Sequence, residues 1–154
     1  MKISELLDPQ AVISELAATD KAAVLEELTD TLMVLAPELD RDRVLDVLNE
    51  REKLGSTGIG HGVAIPHGKL SGLSQLQLAF GRSRSGIDFE SMDGQLAQLF
   101  FLLIAPEGSV GEHLKTLARI SKLLKDAGVR KKILAAADAA EIYRIILAEE
   151  GSLT

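Results

Sequence analysis

Arg51-Glu52-Lys53-Leu54-Gly55-Ser56-Thr57-Gly58-Ile59-Gly60-His61-Gly62-Val63-Ala64-Ile65-Pro66-His67-Gly68-Lys69-Leu70 sets the character of the whole chain. Six of the thirteen glycines fall between residues 55 and 72, together with Pro66 and two of the three histidines. Glycines in such a segment let backbone approach a ligand closely and present amide donors at positive φ. The segment is not a phosphate loop, because it lacks both the spacing and the Gly-Lys-Ser/Thr ending. Gly58-Ile59-Gly60-His61-Gly62 is not a dinucleotide fingerprint either, because no strand is expected before it. Composition alone fits a flexible crossing between helix and sheet equally well.

On the N-terminal side, an irregular start gives way to a helix capped by Thr19 or Asp20. Its Leu25, Leu28, Leu32 and Leu35 recur at steps of three and four, and Pro37 closes it. A second helix starts at Asp40, turns Val44, Leu45 and Leu48 inward, and stops at Gly55. On the C-terminal side, Leu76, Leu78 and Phe80 alternate with Gln75 and Gln77, as a strand with one buried face should. Residues 81–93 read as turns with a short strand around 87–89. Residues 96–105 become apolar on both faces, the pattern of a central strand covered on two sides. Ser109-Val110-Gly111-Glu112 has capping-box spacing and opens a helix that buries His113, Leu117, Ile120 and Leu124 before Gly128 ends it. A short helical piece over 129–137 and a helix opened by Asp138 complete the order. Helices, strands and then helices predict an α+β (mixed α/β) single domain.

The chain has 154 residues and a net charge of −6, with 46% apolar and 26% charged side chains. That excludes bulk disorder, and the acidic balance argues against a general binder of nucleic acid. The absence of cysteine removes disulfides, thiolate metal sites and any Cys nucleophile. The longest apolar run, residues 99–105, is far short of the ~20 needed to span a bilayer, so no membrane insertion is expected. The first residues do not resemble a secretory signal, and the expected compartment is the cytoplasm.

Three histidines carry the chemistry available. His67 lies between Pro66, which fixes the approach of the chain, and Gly68, which leaves the ring unshielded. A neutral imidazole can attack phosphorus and hold the phosphoryl group on nitrogen, although a turn histidine with no task fits the same residues. His113 falls in the first turn of its helix, where the positive helix end favours the neutral ring; a packed core histidine is the simpler account. The spacings among His61, His67, His113 and Glu112 match no metal-ligand motif, and no cofactor is expected. Seven Lys or Arg between residues 112 and 132, against Glu112 and Asp126, make either a solvated helix face or a docking surface for an acidic partner.

The quoted stretch resembles the active-site signature of the enzyme IIA proteins of the bacterial phosphotransferase system, in the fructose–mannitol class. Within that class it is most similar to the free-standing nitrogen-regulatory branch. Ile3-Ser4-Glu5-Leu6-Leu7, the apolar strand and Glu112-His113-Leu114-Lys115-Thr116-Leu117 fall where that family has counterparts, so the resemblance covers nearly the whole chain, with a core of about residues 3–148. It implies a mixed β-sheet flanked by helices. It makes His67 the phosphoryl acceptor, His113 the second active-site histidine and Arg51 a source of positive charge for phosphoryl oxygens. Gly68 can add a backbone donor there, and Lys69 either adds charge or is a solvated neighbour.

The resemblance further implies a histidine-phosphocarrier protein as donor. It implies regulatory targets such as potassium-transport or sensor-kinase components, and a phosphohistidine intermediate rather than turnover of a small substrate. The lack of an attached permease domain leans toward the regulatory branch over a sugar-uptake component that passes phosphate to a permease B domain. An unmodified structural binding module is the alternative of another class. His61 stands where nitrogen-type relatives often carry Asn, as a neutral hydrogen-bonding substitute or a second phosphorylatable group. The lack of a preceding proline favours the substitute.

Overall fold

The computed structural model describes residues 2–153, so Met1 and Thr154, the ends of the expected 1–154 span, lie outside it. The apolar run of the C-terminal half forms β6 (Ala97–Pro106), nearly all of it buried. It pairs antiparallel with β5 (Gln77–Ile87) on one side, and parallel with β3 (Val63–Ala64) and β4 (His67–Leu70) on the other. β1 (Val12–Ile13) runs parallel to the outer side of β5, and β2 (Gly58–Gly60) runs antiparallel to β3. The result is a mixed six-stranded sheet, in which β6 is central because only a strand with two apolar faces tolerates cover on both.

Among the described residues, six α-helices surround the sheet: α1 (Ile3–Leu6), α2 (Lys21–Leu35), α3 (Arg41–Lys53), α4 (Val110–Lys125), α5 (Ala127–Ala135) and α6 (Ala139–Gly151). α2 and α3 pack on each other and on β5 and β4, whereas α4, α5 and α6 pack in succession, with α4 against β6 and α6 against β1. The fold is the single mixed α/β domain expected. Asp20 caps α2 through Ala23 N–H (2.8 Å), and Asp40 caps α3. Gly55, at φ +139°, takes the chain out of α3 in a conformation that L side chains rarely adopt.

Five expectations need correction. The irregular start contains α1, a 3-10 turn (Pro9–Ala11) and β1. The flexible crossing at residues 55–72 is a β-hairpin followed by β4. His61 (φ 58°) and Gly62 (φ 79°) form its two-residue turn, and positive φ at both turn positions matches the twist of a hairpin. Residues 81–87 continue β5 through a register shift between Arg82 and Ile87, so the turn-forming residues there make an irregularity rather than a break. Finally, Gly128 does not end α4. Asp126 divides α4 from α5 by accepting from Gly128 and Val129 N–H, and Gly128 sits in the first turn of α5. Ser109, expected to cap α4, instead donates its hydroxyl to Pro106 C=O (2.8 Å).

Candidate functional site

The end of α3, the start of β4 and the first turns of α4 converge on a cavity of about 470 Å³. α3 contributes Val47, Glu50 and Arg51, with Leu54 just beyond it; β4 contributes His67, Gly68 and Lys69; α4 contributes Val110, His113, Leu114 and Leu117. The structure therefore brings together all five candidate residues, Arg51, His67, Gly68, Lys69 and His113. The strand pleat explains how. At Gly68 an added Cβ would stand 2.2 Å from Val47 Cγ1, so this position packs directly against α3. Alternation then turns His67 and Lys69 to the other face, toward α4.

His67 is held by one local bond. Its Nδ1 lies 2.7 Å from the Ile65 carbonyl oxygen. A carbonyl only accepts, so Nδ1 carries the proton and Nε2 keeps its lone pair. The His67 and His113 rings meet edge to face, centroids 5.5 Å apart at 76°. Burial is the main cause that pushes His67 below the ordinary histidine pKa; the Ile65 bond opposes it, the Arg51 charge adds to it and the Glu52 charge opposes it. Burial, then the charges of His67 and Lys69, push His113 down to about 4. Both rings are thus neutral at pH 7. His113 Nε2 is buried without a hydrogen-bond partner. A buried polar atom left unpaired is costly, and it marks a place where a ligand can supply the missing partner.

Arg51 donates from Nη1 to Gly55 C=O (2.8 Å), which closes the last turn of α3. The rim of the cavity is apolar and open: Leu54 is 84% exposed, Val110 48% and Leu114 61%. Sequence reading missed these rim residues, yet Val47/Arg51 and Val110/Leu114 at i, i+4 already put each pair on one helical face. It also missed the Ile65 carbonyl, which no side-chain pattern announces.

His61 lines a different cavity, with Gln98, Arg130 and Lys131. Its backbone accounts for it: it is the first residue of the hairpin turn, its N–H donates to Asp93 (2.9 Å), and Asn is favoured there for the same positive φ. Among the described residues, no group of three His, Cys, Asp or Glu side chains is placed to hold a metal ion. Three of the seven basic residues between 112 and 132 have tasks within the fold. Arg119 binds Glu150, Arg130 donates to the last carbonyls of α4, and Lys132 binds Glu149.

A neutral histidine pair and an arginine thus line one cavity on a mixed sheet, under an open apolar rim. The family model for "Phosphoenolpyruvate-dependent sugar phosphotransferase system, EIIA 2" matches residues 5–149, and the chain belongs to this family. The Nitrogen regulatory protein of Bradyrhizobium diazoefficiens is 47% identical over 146 residues, covering 95% of each chain. The PTS system fructose-specific EIIABC component of Bacillus subtilis is 39% identical over 95% of this chain and 23% of that longer protein. Among solved structures, Nitrogen Regulatory Protein IIA-Ntr from Neisseria meningitidis superposes with a TM-score of 0.87 at 34% identity, covering 94% of this chain and 98% of that one. IIA mannitol from Escherichia coli superposes at 0.74 over 91% and 98% of the two chains, with 19% identity, a likeness of fold alone.

Proposed function

We propose that this protein is a phosphoryl-accepting regulator of the cytoplasm, charged on His67 Nε2 by a histidine-phosphocarrier protein. The observation that carries the reading is the 2.7 Å contact of His67 Nδ1 with Ile65 C=O, which leaves the Nε2 lone pair free beside Arg51 and His113. In the transfer, that lone pair attacks the phosphorus of the donor's phosphohistidine. The donor P–N bond breaks and its electron pair returns to the donor nitrogen; the Nδ1 proton of His67 stays. The positive charge that develops on the ring is met by the Ile65 carbonyl dipole. Arg51 supplies charge to the phosphoryl oxygens once it leaves Gly55 C=O, and His113 donates one hydrogen bond to them. Lys69 adds charge at the mouth. Gly68, whose space is occupied by Val47, serves mainly by letting α3 sit close to β4.

The rim of Leu54, Val110 and Leu114 suits a partner that docks through apolar contact. Phosphorylation adds nearly two negative charges at its centre, and a partner without a cation would have to desolvate them. Regulatory targets are therefore expected to bind the unphosphorylated form, and potassium-transport or sensor-kinase components are the class the resemblance suggests. The regulatory reading is supported by relatives named nitrogen regulatory protein that match over 95% and 96% of this chain. The fructose-specific relative supports a second reading, in which the group passes on to a permease B domain.

Incubation with phosphoenolpyruvate and the phosphocarrier cascade, followed by intact mass spectrometry, tests the first step. One acid-labile, alkali-stable phosphoryl group is expected, and no added mass would leave an unmodified binding module. Presenting the labelled protein to a soluble permease B domain separates the two phosphoryl readings.

A further inference from the structure

His67 is oriented by Ile65, and Ile65 is itself held from outside the cavity. The Glu52 carboxylate, its side chain only 7% exposed, lies 2.9 Å from Lys21 Nζ. It accepts from the Thr57 backbone N–H (3.1 Å) and from the Thr57 hydroxyl. Thr57, also buried, accepts at its carbonyl from Ile65 N–H (3.0 Å), and the Ile65 carbonyl accepts from His67 Nδ1–H (2.7 Å). Lys21 is fixed in turn by Glu90 (3.3 Å) and by the Phe89 ring, 4.8 Å from Nζ to centroid. The run Lys21–Glu52–Thr57–Ile65–His67 is continuous, and it crosses from α2 through the end of α3 to β4.

From this run we infer that Glu52, through Thr57 and Ile65, is a positioning residue that holds the His67 ring with Nδ1 protonated and Nε2 turned to the cavity. The tautomer with the proton on Nδ1 is the one free histidine favours less in water, so it needs a fixed acceptor. Ile65 C=O is that acceptor only while its peptide plane is held. Both anchoring groups of Thr57 are buried, so loss of the Glu52 carboxylate leaves an N–H and a hydroxyl without their acceptor and releases the link between β3 and β4 that carries Ile65. Small displacements at a reacting atom have large rate effects, which is why a residue that never meets the phosphoryl group matters here.

The inference rests on the reading of His67 as phosphoryl acceptor, but its central test does not. In the full-length protein, the imidazole nitrogen shifts of His67 report the tautomer directly, by ¹⁵N NMR at a pH where the ring is neutral. Wild type should show separated Nδ1–H and bare Nε2 signals. In Glu52→Gln and Thr57→Val these should move toward each other as the tautomers mix, and in Thr57→Ser, which keeps the hydroxyl, they should stay as in wild type. With the phosphocarrier as donor, the saturating rate of phosphoryl acceptance should fall about tenfold in the first two variants. The donor concentration giving half that rate should not change. Folded variants with a wild-type tautomer would overturn the inference; should Glu52→Gln fail to fold, Thr57→Val against Thr57→Ser decides it. A shifted tautomer in variants of a wild type that takes no phosphoryl group would instead overturn the phosphoryl reading and leave the positioning role standing.

Discussion

Two regions of this molecule treat buried titratable groups in opposite ways. Away from the cavity, the two buried charged residues among those described, Glu150 and Arg82, are both answered. Glu150, 2% exposed, accepts from Ile3 N–H (2.5 Å), Ser4 N–H (2.9 Å) and Arg119 Nε (2.8 Å), and so ties α6 to the start of α1 and to α4. Arg82, fully buried in β5, donates to Ser14, Ile133 and Ala136 carbonyls at 2.7–2.8 Å and closes the C-terminal end of α5. At the cavity the arrangement is reversed: His113 Nε2 is buried without a partner, and three large aliphatic side chains face solvent. A folded chain gains stability by satisfying its buried groups, so the unsatisfied ones are held by rigid surroundings.

The contrast predicts that changes at the two regions fall on different measurements. His67→Ala should abolish phosphoryl labelling and leave the fold and its melting temperature close to wild type; full labelling of this variant would remove His67 from the site. His113→Ala should still be labelled, but about ten- to a hundredfold more slowly, since it loses one hydrogen bond to a charged group worth roughly 1.5–3 kcal/mol. Rates equal to wild type would return His113 to a packing role.

Glu150→Gln should do the reverse. Denaturant unfolding should show a loss of about 1.5–3 kcal/mol, from weakened charge-assisted bonds to Arg119, Ile3 and Ser4, with labelling kinetics unchanged. A labelling defect in this variant would erase the division between the regions. Leu114→Asp, at the exposed rim, should raise the phosphocarrier concentration needed for half-maximal labelling by about tenfold without changing stability, because only the docking surface is altered. Titration of labelling rate against phosphocarrier reads this directly.

A further separation lies in the pH dependence of stability. His113 is held down to about 4 by burial and by the charges of His67 and Lys69, below its ordinary 6.5. Between those values the unfolded chain binds the extra proton and the folded one does not, so stability should fall as pH drops from 6.5 toward 4. Glu150 acts lower. Burial raises its pKa, but the Ser4 and Ile3 amides and Arg119 more than offset this, so its contribution is present above its ordinary value of 4.5 and is lost as pH falls through the depressed one. Unfolding measured at pH 7.5 and 5 should show the effect of the two histidines, since burial lowers His67 as well, and His113→Ala should reduce that slope. An unchanged slope would mean that the ring is not disfavoured as a cation.

The amino-acid sequence by itself determined the parts governed by local periodicity and by chemistry written in side chains. The caps at Asp20 and Asp40, the two-faced apolar run of β6 and the inward stripes of α2 and α3 each follow from residues within a turn or two of one another. The signature around His67 was legible too, because its proline, glycines and histidine are contiguous. The hairpin at Gly58 to Ala64 was not. Glycine is a poor strand former, and β2 exists because β3, itself paired to the central β6, offers it a partner. For the same reason β5 continues through residues 81–87, where turn-forming residues are overruled by pairing with a central strand. The meeting of Arg51 with His113, the Ile65 carbonyl behind His67 and the carboxylate of Glu52 behind Thr57 were decided only by tertiary structure. They are contacts between elements far apart in the chain, or bonds to backbone atoms common to every residue, and such atoms leave no mark in a sequence until the fold sets their direction.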